Sequence, residues 1–421
     1  MVSTVRAHLS ATRASTALLL AAALVGCGTS TKGGPTAKAT TALTSGDCPT
    51  TVLRTVGHVL ERVYREGVSS ERTAVAKHLI EASVPLRAAV ERGNAPAVSA
   101  AAHTLLKSGH MTNLRIARAG RTLADLGSAA LAPLQGTLTG AGGTPIATYT
   151  TSVWADRGFL DEARGVAEGL ISLRAGGRSV GGSLELPAGS LPNEGTIARG
   201  RASYRYTSFP AESFPSGSLR VYVLRTVAST TPLCGRTSED TLVNTLHHVA
   251  NLIYAAETGA RRQEQVKRVQ GYRPLLEAVA RRNPTATEAA IHVLLHQHVV
   301  RMRVSAGGRL LADVGGPYVL APVTAPLRLH GRTVGSVELS IQDDEGYKRL
   351  AGRLAGLRVL MYMNASHPTL VKNSLGPEPG AVPAGGLYQY RGSTFHVFTV
   401  HAQAFPSGPL TIRVLVPIPY S

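Results

Sequence analysis

Two adjacent carboxylates, Asp343 and Asp344, close a predicted strand and stand just before Gly346-Tyr347. Successive side chains of a strand point to opposite faces, so one carboxylate faces inward and the other outward. An inward carboxylate could receive an ammonium group, with the Tyr347 ring as a wall and its hydroxyl as a second polar contact. Arg303 and Arg328 are candidates for a ligand carboxylate, because a guanidinium offers a planar fork of donors. Tyr318 is a candidate for the rim. The acidic pair has a second reading. Asp344 precedes the helical stretch Lys348–Leu354, and carboxylates favour a helix N-terminus. Both readings stay open for both residues.

Metal and nucleophile chemistry have weaker support. His292 and His296 share a helix face, as a two-histidine site requires. No carboxylate or Cys lies near them in sequence, and Lys107 stands at the position matching His296. Helix-to-sheet packing or solvent exposure accounts for these histidines, and for His103, His110 and His298, so no metal is expected. There is no Gly-x-Ser-x-Gly elbow, His-Glu-x-x-His, Gly-x-x-x-x-Gly-Lys phosphate loop or Gly-x-Gly-x-x-Gly. Neither catalysis nor a cofactor is expected.

The elements that position these residues are written twice. Phe214-Pro215-Ser216-Gly217 recurs as Phe405-Pro406-Ser407-Gly408. Gly120-Arg121-Thr122-Leu123-Ala124-Asp125 recurs as Gly308-Arg309-Leu310-Leu311-Ala312-Asp313, and Leu131-Ala132-Pro133 as Leu320-Ala321-Pro322. Anchors separated by so constant an offset mark a tandem duplication. In each copy Leu53, Val56, Leu60 and Val63, or Leu242, Leu246, Val249 and Ile253, keep a helical period. A second helical region, 70–108 or 261–297, breaks near Gly93-Asn94-Ala95-Pro96 or Asn283-Pro284. The period then changes to two. Met302-Arg303-Val304 turns at Gly307-Gly308 into Leu310–Asp313, and strands are expected at Thr333–Ile341, Arg358–Asn364, Leu387–Tyr390, Thr394–Ala402 and Leu410–Val416. Helices before a mostly antiparallel sheet define an α+β domain, with one sheet face left for a ligand.

The copies differ where the chemistry would lie. Ala155 stands at the position of Asp343 and Phe159 at that of Tyr347, while Asp156 matches Asp344. Survival of Asp156 fits capping, and loss of its neighbour places the expected ligand site in the second copy.

The N-terminus reads as an export signal. Arg6 and Arg13 precede the apolar run 17–25, too short for a stable span. The run ends in Leu24-Val25-Gly26-Cys27, which resembles a bacterial lipobox whose Cys becomes the acylated N-terminus. Residues 1–26 would be removed, and 27–47, rich in Thr, Ser, Gly and Ala, would form a solvated tether. The chain would then be lipid-anchored on the cell membrane and face the exterior. With Cys27 carrying lipid, Cys48 and Cys234 remain to pair in an oxidising exterior. The formal net charge of +18 favours anionic headgroups or wall polymers. Nucleic acid is not an expected partner, since the chain is exported and its aromatic content is 5%.

Over 49–230 and 238–421 the repeated motifs, together with Gly331-Arg332-Thr333-Val334-Gly335 and Ser340-Ile341-Gln342-Asp343-Asp344, resemble the extracytoplasmic Cache sensor family. The resemblance implies two tandem PAS-like domains, 48–234 and 235–421, each with N-terminal helices on a mostly antiparallel sheet. It implies a small ligand such as an amino acid, carboxylate or amine between the sheet and its loops. Family members usually pass the signal to a transmembrane helix and an output domain. This sequence ends at Ser421 without either, so output through a membrane-bound signalling partner is expected. The alternative is a structural envelope lipoprotein that binds proteins or wall polymer and no small molecule.

Overall fold

The computed structural model describes residues 39–40, 47–108, 111–215, 217–256, 260–295, 299–316, 319–364, 367–405 and 408–420. The leader, Cys27, most of the expected tether, Tyr318, His110, His296 and His298 lie outside them. Among the described residues no helix is long and apolar enough to cross a membrane. No group of three His, Cys, Asp or Glu residues there could hold a metal.

The first half begins with β1 (Ala39–Thr40), α1 (Cys48–Ser69), α2 (Glu71–Ala82), α3 (Val84–Glu91) and α4 (Ala95–Ser108). It continues with β2 (Asn113–Arg118), β3 (Arg121–Gly127), β4 (Ala130–Leu131), β5 (Leu134–Thr139), β6 (Pro145–Ser152) and β7 (Trp154–Ala155). It closes with α5 (Asp156–Ala167), β8 (Leu170–Ala175), β9 (Arg178–Gly182), β10 (Glu194–Arg199), β11 (Ala202–Phe214), β12 (Gly217–Thr226) and α6 (Val227–Thr230). The second half repeats this with α7 (Ser238–Ala256), α8 (Ala260–Gly271), α9 (Arg273–Ala280) and α10 (Pro284–Leu295). Then follow β13 (Arg301–Ala306), β14 (Arg309–Gly315), β15 (Val319–Leu320), β16 (Val323–Leu329), β17 (Arg332–Ser340) and β18 (Gln342–Asp343). Last come α11 (Asp344–Ala355), β19 (Arg358–Met363), β20 (Thr369–Asn373), β21 (Gly386–Tyr390), β22 (Ser393–Phe405) and β23 (Gly408–Ile418).

The α+β composition agrees with the sequence reading, but each half holds two sheets where one was expected. A four-stranded sheet runs β3-β2-β6-β5 in the first half and β14-β13-β17-β16 in the second. The larger sheets run β1-β10-β11-β12-β8-β9 and β18-β15-β22-β23-β19-β20, with short strands added beside them. Every strand pair that joins these orders is antiparallel. The chain passes between sheets where Ser152 Oγ donates to Leu131 O and, one repeat on, where Ser340 Oγ donates to Leu320 O. In the second half four strands lay outside the sequence expectation, the two-residue β15 and β18 together with β16 and β20. β16 carries Pro326, which argues against a central strand, and it sits at the sheet edge where Pro is tolerated. β20 is a short edge strand. β1, inside the segment expected to be tether, pairs Ala39 with Ile197 on the otherwise open edge of β10.

The helical breaks follow capping chemistry. Asn94 and Asn283 accept from Ala97 N (3.1 Å) and Ala286 N (3.0 Å), and these caps separate α3 from α4 and α9 from α10. Ser70 and Ser83 introduce two further breaks by accepting from Thr73 N and Leu86 N. α1 starts at the N-cap Asp47, which accepts from Thr50 N at 3.1 Å and pairs with Arg205 of β11. A Cys48–Cys234 disulfide ties this start to the end of the first half.

α2–α4 and α8–α10 each cover a small sheet with a core of its own. The larger sheets share one core. Val56 and Leu60 of α1, Phe159 of α5, Val249 and Ile253 of α7 and Tyr347 of α11 belong to a single buried cluster with inward residues of both large sheets. Each fully buried aliphatic side chain contributes about 1.5–3 kcal/mol. α1 packs on α5, α7 and α11, and α7 packs on α5 and α11, so each long helix touches both halves. Close approach requires small residues. A Cβ at Gly67 would lie 2.3 Å from Trp154 Cδ1.

Candidate functional site

Arg303 faces Asp313 directly across the β13–β14 ladder. Its Nη2 donates to Asp313 Oδ2 at 2.8 Å, and Arg301 Nε donates to Oδ1 at 2.9 Å. Both guanidiniums also lie over the ring of Phe405, at 5.2 Å for Arg301 and 4.8 Å for Arg303. Burial opposes ionisation of Asp313, but hydrogen bonds from Arg301 and Arg303 prevail and hold its carboxyl below the usual range. The expectation that Arg303 receives a ligand carboxylate is therefore corrected, because the protein supplies that carboxylate itself. Arg328 is exposed on β16, away from this cluster in the sheet order.

The acidic turn is a helix start. Asp343 is the N-cap of α11, its Oδ1 accepting from Gly346 N at 2.5 Å. Asp344 is the first helical residue and 4% exposed, with Oδ1 accepting from Glu345 N at 2.9 Å and Oδ2 3.5 Å from Lys372 Nζ. Burial raises the Asp344 pKa, against the opposing charge of Lys372. Capping thus falls to Asp343, where the sequence reading attached it more naturally to Asp344. In the first half the cap position is Ala155, without a side-chain bond, and Asp156 begins α5. Tyr347 is fully buried and donates to Ala250 O at 3.2 Å. Phe159 fills the same core position without a hydroxyl, which explains the Tyr/Phe exchange between copies. Asp343, Asp344 and Tyr347 are set by a helix start and a core. Among the described residues no hydrogen bond or ion pair links them to Arg303 or Arg328.

A polar cavity lies in the first half instead. On β12, Val221 and Val223 face the shared core, while Arg220, Tyr222 and Leu224 face the opposite side of the sheet. Residues 183–193 fold over that side, and Leu184, Leu186 and Leu191 pack with Tyr206, Tyr222 and Leu224. Beneath them is a cavity of about 360 Å³, lined in part by Arg174, Gly177, Gly189, Leu191, Arg220 and Tyr222. Arg174 is 4% exposed, and its Nη2 donates to Gly177 O and to Gly189 O (2.8 Å). Among the described residues its buried Nε and Nη1 have no partner, nor does the Tyr206 hydroxyl. Arg174 stands directly opposite Arg220 in the β8–β12 ladder. Arg220 Nε and Nη2 lean on Ser208 Oγ at 3.3 and 3.2 Å. Among the described residues no carboxylate lies within 4.0 Å of either guanidinium. A larger groove of about 580 Å³ between α1 and β10–β11 is different, since its Arg54 is matched by Glu194 at 2.8 Å.

Neither Arg174 nor Arg220 stood out as a site residue in the sequence. The available signal was the alternation around Arg220 in Leu219-Arg220-Val221 and Arg174 before Gly176-Gly177. Only the strand register brings the two together.

No protein-family model matches the chain, and neither does any curated protein. Among solved structures it is similar to the periplasmic domain of LuxQ from Vibrio cholerae, at 11% identity and a TM-score of 0.28. That likeness covers 43% of this chain and 99% of the domain. It is also similar to an extracellular ligand-binding receptor from Desulfohalobium retbaense, at 12% identity and a TM-score of 0.24, over 52% of this chain and 46% of the receptor.

Proposed function

We propose that this chain is an extracytoplasmic lipoprotein, anchored through an acylated Cys27, whose tandem Cache-like domains over 48–234 and 235–421 capture a small metabolite. Capture and release are its whole chemistry, with no bond made or broken in the ligand. The observation that carries the reading is the partly open polar cavity on the first half's large sheet, beside residues 183–193. It combines apolar walls with convergent polar groups, as small-molecule sites do. The proposed binding half is therefore the first, where the sequence reading favoured the second. The disulfide supports an oxidising location. Val221 and Val223, on the opposite side of the same sheet, share a core with α1, and α1 packs on α7 and α11. A ligand that shifts this sheet would thus be felt in both halves, where a membrane partner could read it.

Thermal unfolding of the full chain against a panel of metabolites tests the reading. A ligand that binds only the folded state raises the midpoint with concentration. No response to any compound, together with constant co-purification of one partner protein, would replace this reading with that of an envelope scaffold.

A further inference from the structure

We infer that the cavity beneath residues 183–193 binds a small organic dianion between Arg174 and Arg220. This inference rests on the ligand-binding reading and adds the chemistry of the ligand. Like charges directly opposite in an antiparallel pair destabilise a sheet, and Arg174 faces Arg220 in that arrangement. Burying a charge is costly unless an opposite charge or hydrogen bonds compensate it. Arg174 is nine-tenths buried and more, yet two of its three nitrogens have no partner. The carbonyls of Gly177 and Gly189 hold the guanidinium from one nitrogen only. Two positive groups lining one cavity, with no carboxylate within 4.0 Å of either among the described residues, are balanced by a ligand carrying two negative charges. Tyr222, whose ring centroid is 5.7 Å from Arg174 Cζ, and Leu191 supply a wall for its carbon skeleton. A volume of about 360 Å³ suits a small metabolite.

The second half shows what the same sheet does without this demand. Its register places Tyr362 where Arg174 stands, Thr411 at Arg220 and Arg413 at Tyr222. Arg413 Nη1 donates to Thr399 Oγ1 across the ladder, and Tyr362, Leu375, Val382, Tyr388 and Tyr390 pack over that face. One arginine paired with a hydroxyl replaces two opposed arginines, so the dianion site belongs to the first half alone.

The test is calorimetric titration of the full chain with succinate and with glycerol 3-phosphate. Inorganic phosphate serves as the bare anion, glucose as the neutral control and putrescine as the cationic control. At least one organic dianion should bind once per chain. Arg220→Met, which alters a partly exposed side chain, should weaken it about tenfold or more, and Arg413→Met should leave it unchanged. Arg174→Met should act like Arg220→Met, with circular dichroism to establish that the variant folds; Arg220→Met is the deciding variant. Equal affinity in wild type and Arg220→Met, or silence from both dianions, overturns the inference. Inorganic phosphate binding as tightly as glycerol 3-phosphate overturns the organic part of it. Binding of glucose or putrescine while the dianions stay silent removes the dianion and leaves the ligand-binding reading standing. Silence across the wider metabolite panel removes both.

Discussion

The guanidinium of Arg303 lies 4.8 Å above the ring of Phe405, joining the second half's small sheet to its large one. The first half repeats this with Arg115, 4.2 Å above Phe214 and paired with Asp125 at 2.7 Å. The two most visible repeated motifs are thereby explained. Gly-Arg-x-Leu-Ala-Asp supplies the aspartate that orients the arginine, and Phe-Pro-Ser-Gly supplies the ring beneath it. They are the two sides of one clasp between sheets, so neither can drift without the other.

Phe405 is 2% exposed, and truncating it removes both the ring's packing and the cation–π contacts of two arginines. Phe405→Ala should cost about 3–5 kcal/mol in urea unfolding. Phe214 is only partly buried and meets one arginine, so Phe214→Ala should cost less. Equal and small losses would show that the sheets hold together without the clasp.

Two carboxylates should pull the pH dependence of stability in opposite directions. The Asp313 pKa is lowered in the folded protein, from a usual 3.8. Its contribution is therefore present above that value and lost as the pH falls through the folded one. Asp313→Asn should lower stability at pH 7 and flatten the acid limb. The Asp156 pKa is raised by burial, and Oδ1 has no hydrogen-bond partner. Its contribution is full below 3.8 and is lost as the pH rises through the folded value. Asp156→Asn should raise the melting temperature at pH 7 and change it little at pH 3. Melting curves across pH 3–8 that show parallel shifts for both variants would contradict these assignments.

The sequence exposed what is local and hid what is relational. Helical period, the Asn94 and Asn283 breaks and the Gly307-Gly308 turn, where φ is +57° and +76°, are each written within a few residues. Asp343 and Asp344 were conspicuous for the same reason, and adjacency made a helix cap resemble a ligand pair. Arg174 and Arg220 stand 46 positions apart in the sequence and meet only through the β8–β12 register, which no local spacing encodes. The division of each half into two sheets was also hidden, because it depends on two-residue bridges such as β15 and β18.

The two copies provide an internal control for the cap. Asp343→Ala should destabilise the protein by about 1 kcal/mol, since it removes the bond to Gly346 N at the start of α11. Ala155→Asp should gain a comparable amount by supplying α5 with the cap it lacks. Both are read from chemical unfolding. An Asp343→Ala protein with unchanged stability and an abolished ligand response would restore the carboxylate to a binding role.

The Cys48–Cys234 bridge closes a loop with a sequence separation of 186, joining the start of α1 to the end of the first half. Chain-entropy arguments put such a closure at about 5 kcal/mol, an upper value because unfolded chains retain structure. The Asp47–Arg205 pair and the Thr50 N cap persist without the bridge, so α1 should remain docked while global stability falls. Reductant, or Cys48→Ser with Cys234→Ser, should therefore lower the urea midpoint and leave the far-ultraviolet spectrum near that of the native protein. Thiol titration under denaturant should rise by two per chain on reduction. An unchanged thiol count would mean that the two sulfurs are not joined. A lost helical signal would mean that α1 depends on the bridge for docking as well as for stability.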